Sequence, residues 1–196
     1  MIVDTLLTKP LEDQERNEFL KSVRGQINKL DFLIQALVKT SRLETGVIQL
    51  EKEEHFLYDT LAQAMSGILY SAEQKKIHVS VACPEDLCVS HDSKWTEEAI
   101  FNLLDNAVKY TPKGGKIVFD ITEVPKKKGN FAQYQFRISD NGQGMGEEYL
   151  KNLFDPFSRE VQSTVNPVSG TGLGMPIAKS LVELMGGSIH VKSKLG

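Results

Sequence analysis

Apolar residues recur at three- and four-residue steps through the first part of the chain: Leu20, Val23, Ile27, Leu30, Leu33, Ile34, Leu37 and Val38, with charges between them. That period predicts a long amphipathic helix over about 12–43. Its stripe suits packing along a partner helix or within a bundle. Ahead of it, Ile2, Val3, Leu6 and Leu7 read as the tail of another helix, broken at Lys9-Pro10. On periodicity alone two readings stand side by side: two helices of an ordinary domain, or part of a helical hairpin that dimerises.

Beyond Gly46, which can end the long helix, the pattern changes. Val47-Ile48-Gln49-Leu50 predicts a short strand. Residues 57–74 predict a second helix, with Leu61, Ala64, Met65, Ile68 and Leu69 on one face. Residues 77–81 alternate as a strand, and Pro84-Glu85-Asp86 turns them into Leu87-Cys88-Val89. Asp92 or Ser93 can cap the next helix. That helix carries Trp95, Ala99, Ile100, Leu103, Leu104, Ala107 and Val108 on one face and stops at Thr111-Pro112. Strands over 116–124 and 133–139 follow, joined by a solvated tip, Pro125-Lys126-Lys127-Lys128-Gly129-Asn130. A short helix over about 147–154, an aperiodic stretch over 158–170, a helix over about 175–185 and a strand over 188–192 complete the series. Helices alternating with mostly hairpin-linked strands predict an α+β fold, a two-layer sandwich over residues 51–196.

Composition narrows the function classes. The 196 residues hold 23 Lys+Arg and 26 Asp+Glu, a net charge of −3. Such a balance argues against nucleic-acid binding through bulk charge. No apolar run approaches bilayer length, and no signal peptide opens the chain, which predicts a cytoplasmic location and no membrane contact. Two cysteines, Cys83 and Cys88, are too few for a disulfide framework or a cysteine zinc site.

The chemistry concentrates in glycine clusters: Asp140-Asn141-Gly142-Gln143-Gly144-Met145-Gly146, then Gly170-Thr171-Gly172-Leu173-Gly174, then Gly186-Gly187. Alternating glycines let a backbone approach a ligand closely. Those at 170–174 precede a helix, where free N–H groups can face a phosphate. Neither the P-loop nor the Rossmann spacing is present. A second unusual feature is Asn102, Asn106 and Lys109 on one helical face, followed by Tyr110. Amides and a cation beside a core are costly unless partnered. They either bond nearby loops, or serve Mg²⁺ and phosphate.

Together these segments resemble a known family. Asn102-Leu-Leu-Asp-Asn106-Ala-Val-Lys109-Tyr110-Thr resembles the N box of sensor histidine kinases, and Asp140-Asn-Gly142-Gln-Gly144-Met their G1 box. Phe154-Asp-Pro-Phe157 resembles their F box, and Gly170-Thr-Gly172-Leu-Gly174-Met their G2 box. Lys39-Thr-Ser-Arg-Leu-Glu-Thr-Gly46 looks like the end of their dimerisation domain, and Lys94-Trp95-Thr-Glu-Glu-Ala99 also resembles them. The wider group is the GHKL superfamily of ATPases.

The resemblance implies a Bergerat-type ATP-binding fold over 47–196, preceded by a partial helical hairpin over 1–46. It implies ATP and Mg²⁺ as cofactors. Asp140 would accept a hydrogen bond from the adenine amine, Gly142 and Gly144 would let the backbone pass the base, and Asn106 would bind Mg²⁺ with support from Asn102. Lys109 would contact phosphate, and Tyr110 would lie against the nucleotide. Residues 158–170 would form a mobile lid, with Gly170, Thr171, Gly172, Leu173 and Gly174 at its phosphate-facing end. Phe154 and Phe157 would anchor the lid by packing, and Arg159 is a candidate for the γ-phosphate. Implied partners are a response regulator receiver domain and, through the helical region, a second copy of the parent protein.

Two departures qualify this. None of His55, His78, His91 and His190 has the acidic and Thr-Pro context of the family's phosphoacceptor. Family spacing would put that acceptor shortly before Met1. The family also continues past Lys194-Leu195-Gly196 with a closing strand, so both ends look cut from a larger sensor, membrane-bound or cytoplasmic. The alternatives are a GHKL-type ATPase or anti-sigma-like serine kinase, and a non-catalytic interaction module.

Overall fold

The structure, a computed structural model, describes residues 12–44, 48–124, 132–158 and 170–195. It divides into two compact units, Met1–Thr45 and Gly46–Gly196. In the first, helix α1 spans Asp13–Glu44, each boundary one residue later than predicted. Asp13 and Glu15 in its first turn and Arg42 in its last complement the helix dipole. The helix tail expected over the first residues lies outside the described ones.

The second unit holds strands β1 (Glu53–Phe56), β2 (His78–Ala82), β3 (Cys88–His91), β4 (Lys116–Val124) and β5 (Gln133–Asp140). Its helices are α2 (Leu57–Gln74), α3 (Ser93–Tyr110), α4 (Glu147–Lys151) and α5 (Gly174–Leu184). The main sheet runs β2-β4-β5, with β2 parallel and β5 antiparallel to β4. Strand β4 shows why: Ile117, Phe119 and Ile121 alternate into the core at 0–8% exposure. Against them pack Leu57, Leu61, Ala64 and Ile68 of α2 and Ile100, Leu104, Ala107 and Val108 of α3. This helix layer on a sheet is the α+β sandwich expected.

Four elements differ from the sequence reading. The first strand of this unit lies at Glu53–Phe56 rather than 47–50. Ile48, Gln49 and Leu50 have no regular structure, and the Glu51 N–H goes to the Asp92 carboxylate at 2.9 Å instead of to a ladder. Strands β2 and β3 are not a hairpin: β3 pairs antiparallel with β1, while β2 pairs with β4. The short helix α4 stops at Lys151, and turns occupy 152–157. Over 188–192 no strand forms; just beyond it, Ser193 Oγ accepts the Met145 N–H and Lys194 meets Gly144, both in the loop after β5.

Candidate nucleotide site

Helix α3 is capped by Asp92, whose carboxylate accepts the Trp95 N–H at 3.1 Å. Its last turn carries Asn106, Lys109 and Tyr110 toward the end of β5. Strand β5 closes its ladder at the pair Ile117↔Asp140, so Asp140 stands at the rim of the sheet. There Asp140 Oδ1 accepts the Gly142 N–H at 2.8 Å, a side-chain turn that folds the glycine loop back on itself. Asn141 fixes the loop from the other side, accepting the Lys116 N–H on Oδ1 at 2.6 Å.

The glycines of this loop are needed for space. A Cβ on Gly142 would lie 2.8 Å from the Tyr110 carbonyl oxygen, and one on Gly144 would collide with that of Lys194. Gly144 also has φ +71°, a conformation L side chains rarely adopt.

These elements enclose a cavity of about 390 Å³, within the range of small-ligand sites. Asn106, Tyr110, Asp140, Gly142 and Gly144 all line it. Sequence reasoning missed much of its wall. Phe136 and Ile138 of β5, Met145, Tyr149 and Leu153 contribute, as does the segment carrying His190, Lys192 and Lys194. The even positions of β5 were available from its period of two. The C-terminal segment was not, because its contacts are long-range: the Met145 N–H donates to Ser193 Oγ at 2.9 Å.

Other candidates lie elsewhere. Lys109 is paired with the Asp105 carboxylate one turn back. Asn102 donates its amide to the Glu98 carbonyl at 2.8 Å, and its Oδ1 lies 3.1 Å from where a Gly174 Cβ would stand. Helices α3 and α5 therefore approach closely at Gly174, where a Cβ would make Asn102 give way. Leu173 is buried at 2% exposure, an anchor for the start of α5. Gly172, at φ +74°, accepts the Phe157 N–H at 3.1 Å on its carbonyl. Gly170 and Thr171 are described, but neither they nor Gly172 and Gly174 line the cavity.

Phe157 departs from its expected role. It is 56% exposed, and its backbone rather than its ring holds the glycine turn. Phe154 receives Lys179 Nζ over its ring at 5.2 Å. Arg159 and the rest of the expected lid, 159–169, lie outside the described residues, as does the lysine tip at 126–128.

Of the histidines, His91 is fully engaged: Nδ1 donates to the Val89 carbonyl and Nε2 bonds the Thr60 hydroxyl, each at 2.9 Å. Cys83 and Cys88 are free, and burial pushes the Cys83 thiol up. Among the described residues no cluster of three His, Cys, Asp or Glu could hold a metal, and no helix is long and apolar enough to cross a membrane.

Comparison with known proteins shows the family and the fold. Residues 91–196 match the family described as histidine kinase-, DNA gyrase B-, and HSP90-like ATPase. Sensor protein KdpD of Clostridium acetobutylicum is 33% identical over 185 residues, covering 94% of this chain and 20% of its own length. That match extends well ahead of residue 91, into the helical unit. Among solved structures, histidine kinase AdeS of Acinetobacter baumannii superposes with a TM-score of 0.75 at 20% identity, over 99% of this chain and 86% of that one. Full-length ShkA, solved in complex with AMPPNP, gives 0.74 at 22% identity, over 100% of this chain and 39% of that one. The chain thus spans about a fifth of the curated relative it matches first.

Proposed function

Because this chain belongs to the histidine kinase-, DNA gyrase B- and HSP90-like ATPase family, as a sensor histidine kinase catalytic domain, we propose that it binds ATP in the cavity beside Asp140 for transfer of the γ-phosphoryl group to a histidine outside this chain. The observation that carries this is the convergence of Asn106, Tyr110, Asp140, Gly142 and Gly144, drawn from a helix end and a loop, on one cavity of about 390 Å³. The AMPPNP bound in ShkA, of the same fold, supports the ligand class.

In this reading Asp140 holds its loop with Oδ1 and accepts the adenine amine N–H with its carboxylate, which favours adenine over guanine. Gly142 and Gly144 keep the wall low enough for the base to lie flat. Tyr110 packs along the nucleotide, and Lys109 turns from Asp105 toward phosphate. Asn102 braces Gly174, so that Gly170, Thr171, Gly172, Leu173 and Gly174 present backbone at the phosphate end.

The donor set fits Mg²⁺. An amide oxygen from Asn106, with no carboxylate cluster among the described residues, suits an ion held mainly by phosphates and water. When bound, that ion supplies charge neutralisation of the phosphates. The protein's share is positioning and exclusion of water.

In the parent protein the partners are a response regulator receiver domain and a second copy joined through the α1 region, with the domain in the cytoplasm. Calorimetric titration of the chain with AMPPNP and Mg²⁺ tests the core of the reading. We expect saturable binding that Asp140→Asn weakens by about tenfold or more, as loss of a charged acceptor does. Absence of binding, or equal binding by Asp140→Asn, would overturn it.

A further inference from the structure

The C-terminal carbonyls of α3 can be accounted for one by one. A helix end leaves its last carbonyls without intrahelical donors. Here the Ala107 carbonyl accepts the Thr111 N–H at 2.9 Å, and that of Tyr110 accepts the Gln143 N–H at 3.3 Å. The others are met by one side chain from a different helix. Lys75 Nζ donates to the carbonyl oxygens of Val108 at 2.8 Å, Lys109 at 2.7 Å and Thr111 at 3.2 Å. An ammonium has three donors and no acceptor, so the match is complete. A cation also suits the negative end of a helix dipole.

Lys75 is itself the C-cap of α2. Its own carbonyl accepts the Gly114 N–H at 2.8 Å, in the turn that leads into β4. The end of α2, the end of α3 and the start of β4 therefore meet at one residue. Desolvation holds the Lys75 amine below its usual value of 10.5, the mark of a group turned toward protein instead of water.

We propose that Lys75 is a positioning residue for the nucleotide site, fixing the last turn of α3 and with it the seat of the glycine loop. The inference rests on the nucleotide-binding reading above. The loop meets the helix end through the Tyr110 carbonyl. Gln143 donates to that oxygen, and Gly142 packs so close to it that a Cβ would come within 2.8 Å. Lys75 holds the carbonyls on both sides of it in sequence, Lys109 and Thr111. Without the ammonium these oxygens must reorient to find water. The Tyr110 carbonyl moves with them, and Gly142, Gln143 and Asp140 follow.

The test compares Lys75→Met with Leu57→Ala, a core truncation at the opposite end of α2. Both are titrated with AMPPNP and Mg²⁺ at a temperature where unfolding scans show them fully folded. Lys75→Met should bind about tenfold more weakly than wild type, and Leu57→Ala within about twofold of it. In the ligand-free proteins the amide resonances of Gly142 and Gln143 should move in Lys75→Met and stay in Leu57→Ala. Binding by Lys75→Met within about twofold of wild type, or an equal loss in Leu57→Ala, would overturn the positioning role and leave the nucleotide reading standing. Wild type that fails to bind would overturn both. If Lys75→Met does not fold, Lys75→Gln replaces it under the same criteria.

Discussion

Two groups of helices in this chain carry the same spacing of apolar residues and bury them to opposite extents. In α2 and α3, Leu61, Ala64, Ile68, Ala99, Leu104 and Val108 are at most 3% exposed. In α1, Leu20, Ile27, Leu30, Ile34 and Leu37 are 50–59% exposed. A period of 3.6 fixes the helix and the face, but carries no information about what covers the face. Each large side chain buried in the second unit stabilises it by about 1.5–3 kcal/mol. The exposed stripe of α1 draws little of that. What stabilises α1 locally is its length of 32 residues, its terminal charges and surface pairs such as Gln35 with Asp31. A stripe in that condition is suited to a second helix, in line with the dimerisation proposed for the parent protein.

Substitutions of the same kind in the two regions sharpen the contrast. Trp95, the only tryptophan of the chain, lies in α3 and reports unfolding of the second unit by fluorescence. The largest effect is expected from Leu104→Ala, at 0% exposure. It should lower the denaturation free energy by about 2–5 kcal/mol. Asp92→Ala comes next. Its carboxylate accepts the N–H groups of both Trp95 and Glu51, and its loss should cost about 1–2 kcal/mol in the same measurement. Leu30→Ala in α1 should change that transition by less than about 0.5 kcal/mol, although it removes the same atoms as Leu104→Ala. A loss above about 2 kcal/mol there would break the comparison, by showing that the α1 stripe contributes to the core after all.

The parts of the fold that were legible in sequence are those with local causes. Helix α2 has its predicted limits because its stripe is unbroken and begins and ends sharply. Helix α3 was bounded by a capping Asp92 and by Pro112. Strand β4 was visible in its alternation. Pairing was not legible, because Pro84-Glu85-Asp86 looks like any hairpin turn and nothing local says that β3 joins β1. Strand β1 was misplaced because Glu53-Glu54-His55-Phe56 is short and largely polar, while Val47-Ile48-Gln49-Leu50 has the better β composition. At the site, the motif residues on α3 and in the Asp140 loop could be read from their order. Lys75 could not: it is one lysine at a helix end, and its three acceptors lie more than thirty positions away.

The ladder between β4 and β5 bears on how this domain tolerates changes of length. Eight residue pairs run from Val124↔Gln133 at one end to Ile117↔Asp140 at the other. Phe136, Ile138 and Asp140 share one face of β5 and all line the cavity. Residues added beyond the Val124↔Gln133 pair leave that parity untouched. A single deletion between Gln133 and Asp140 would do the reverse. With register held at the turn end, it would exchange the even face for Gln135, Arg137 and Ser139 and turn the carboxylate away from the cavity. Length changes before the ladder begins thus leave the cavity face as it is, while within the ladder every residue counts.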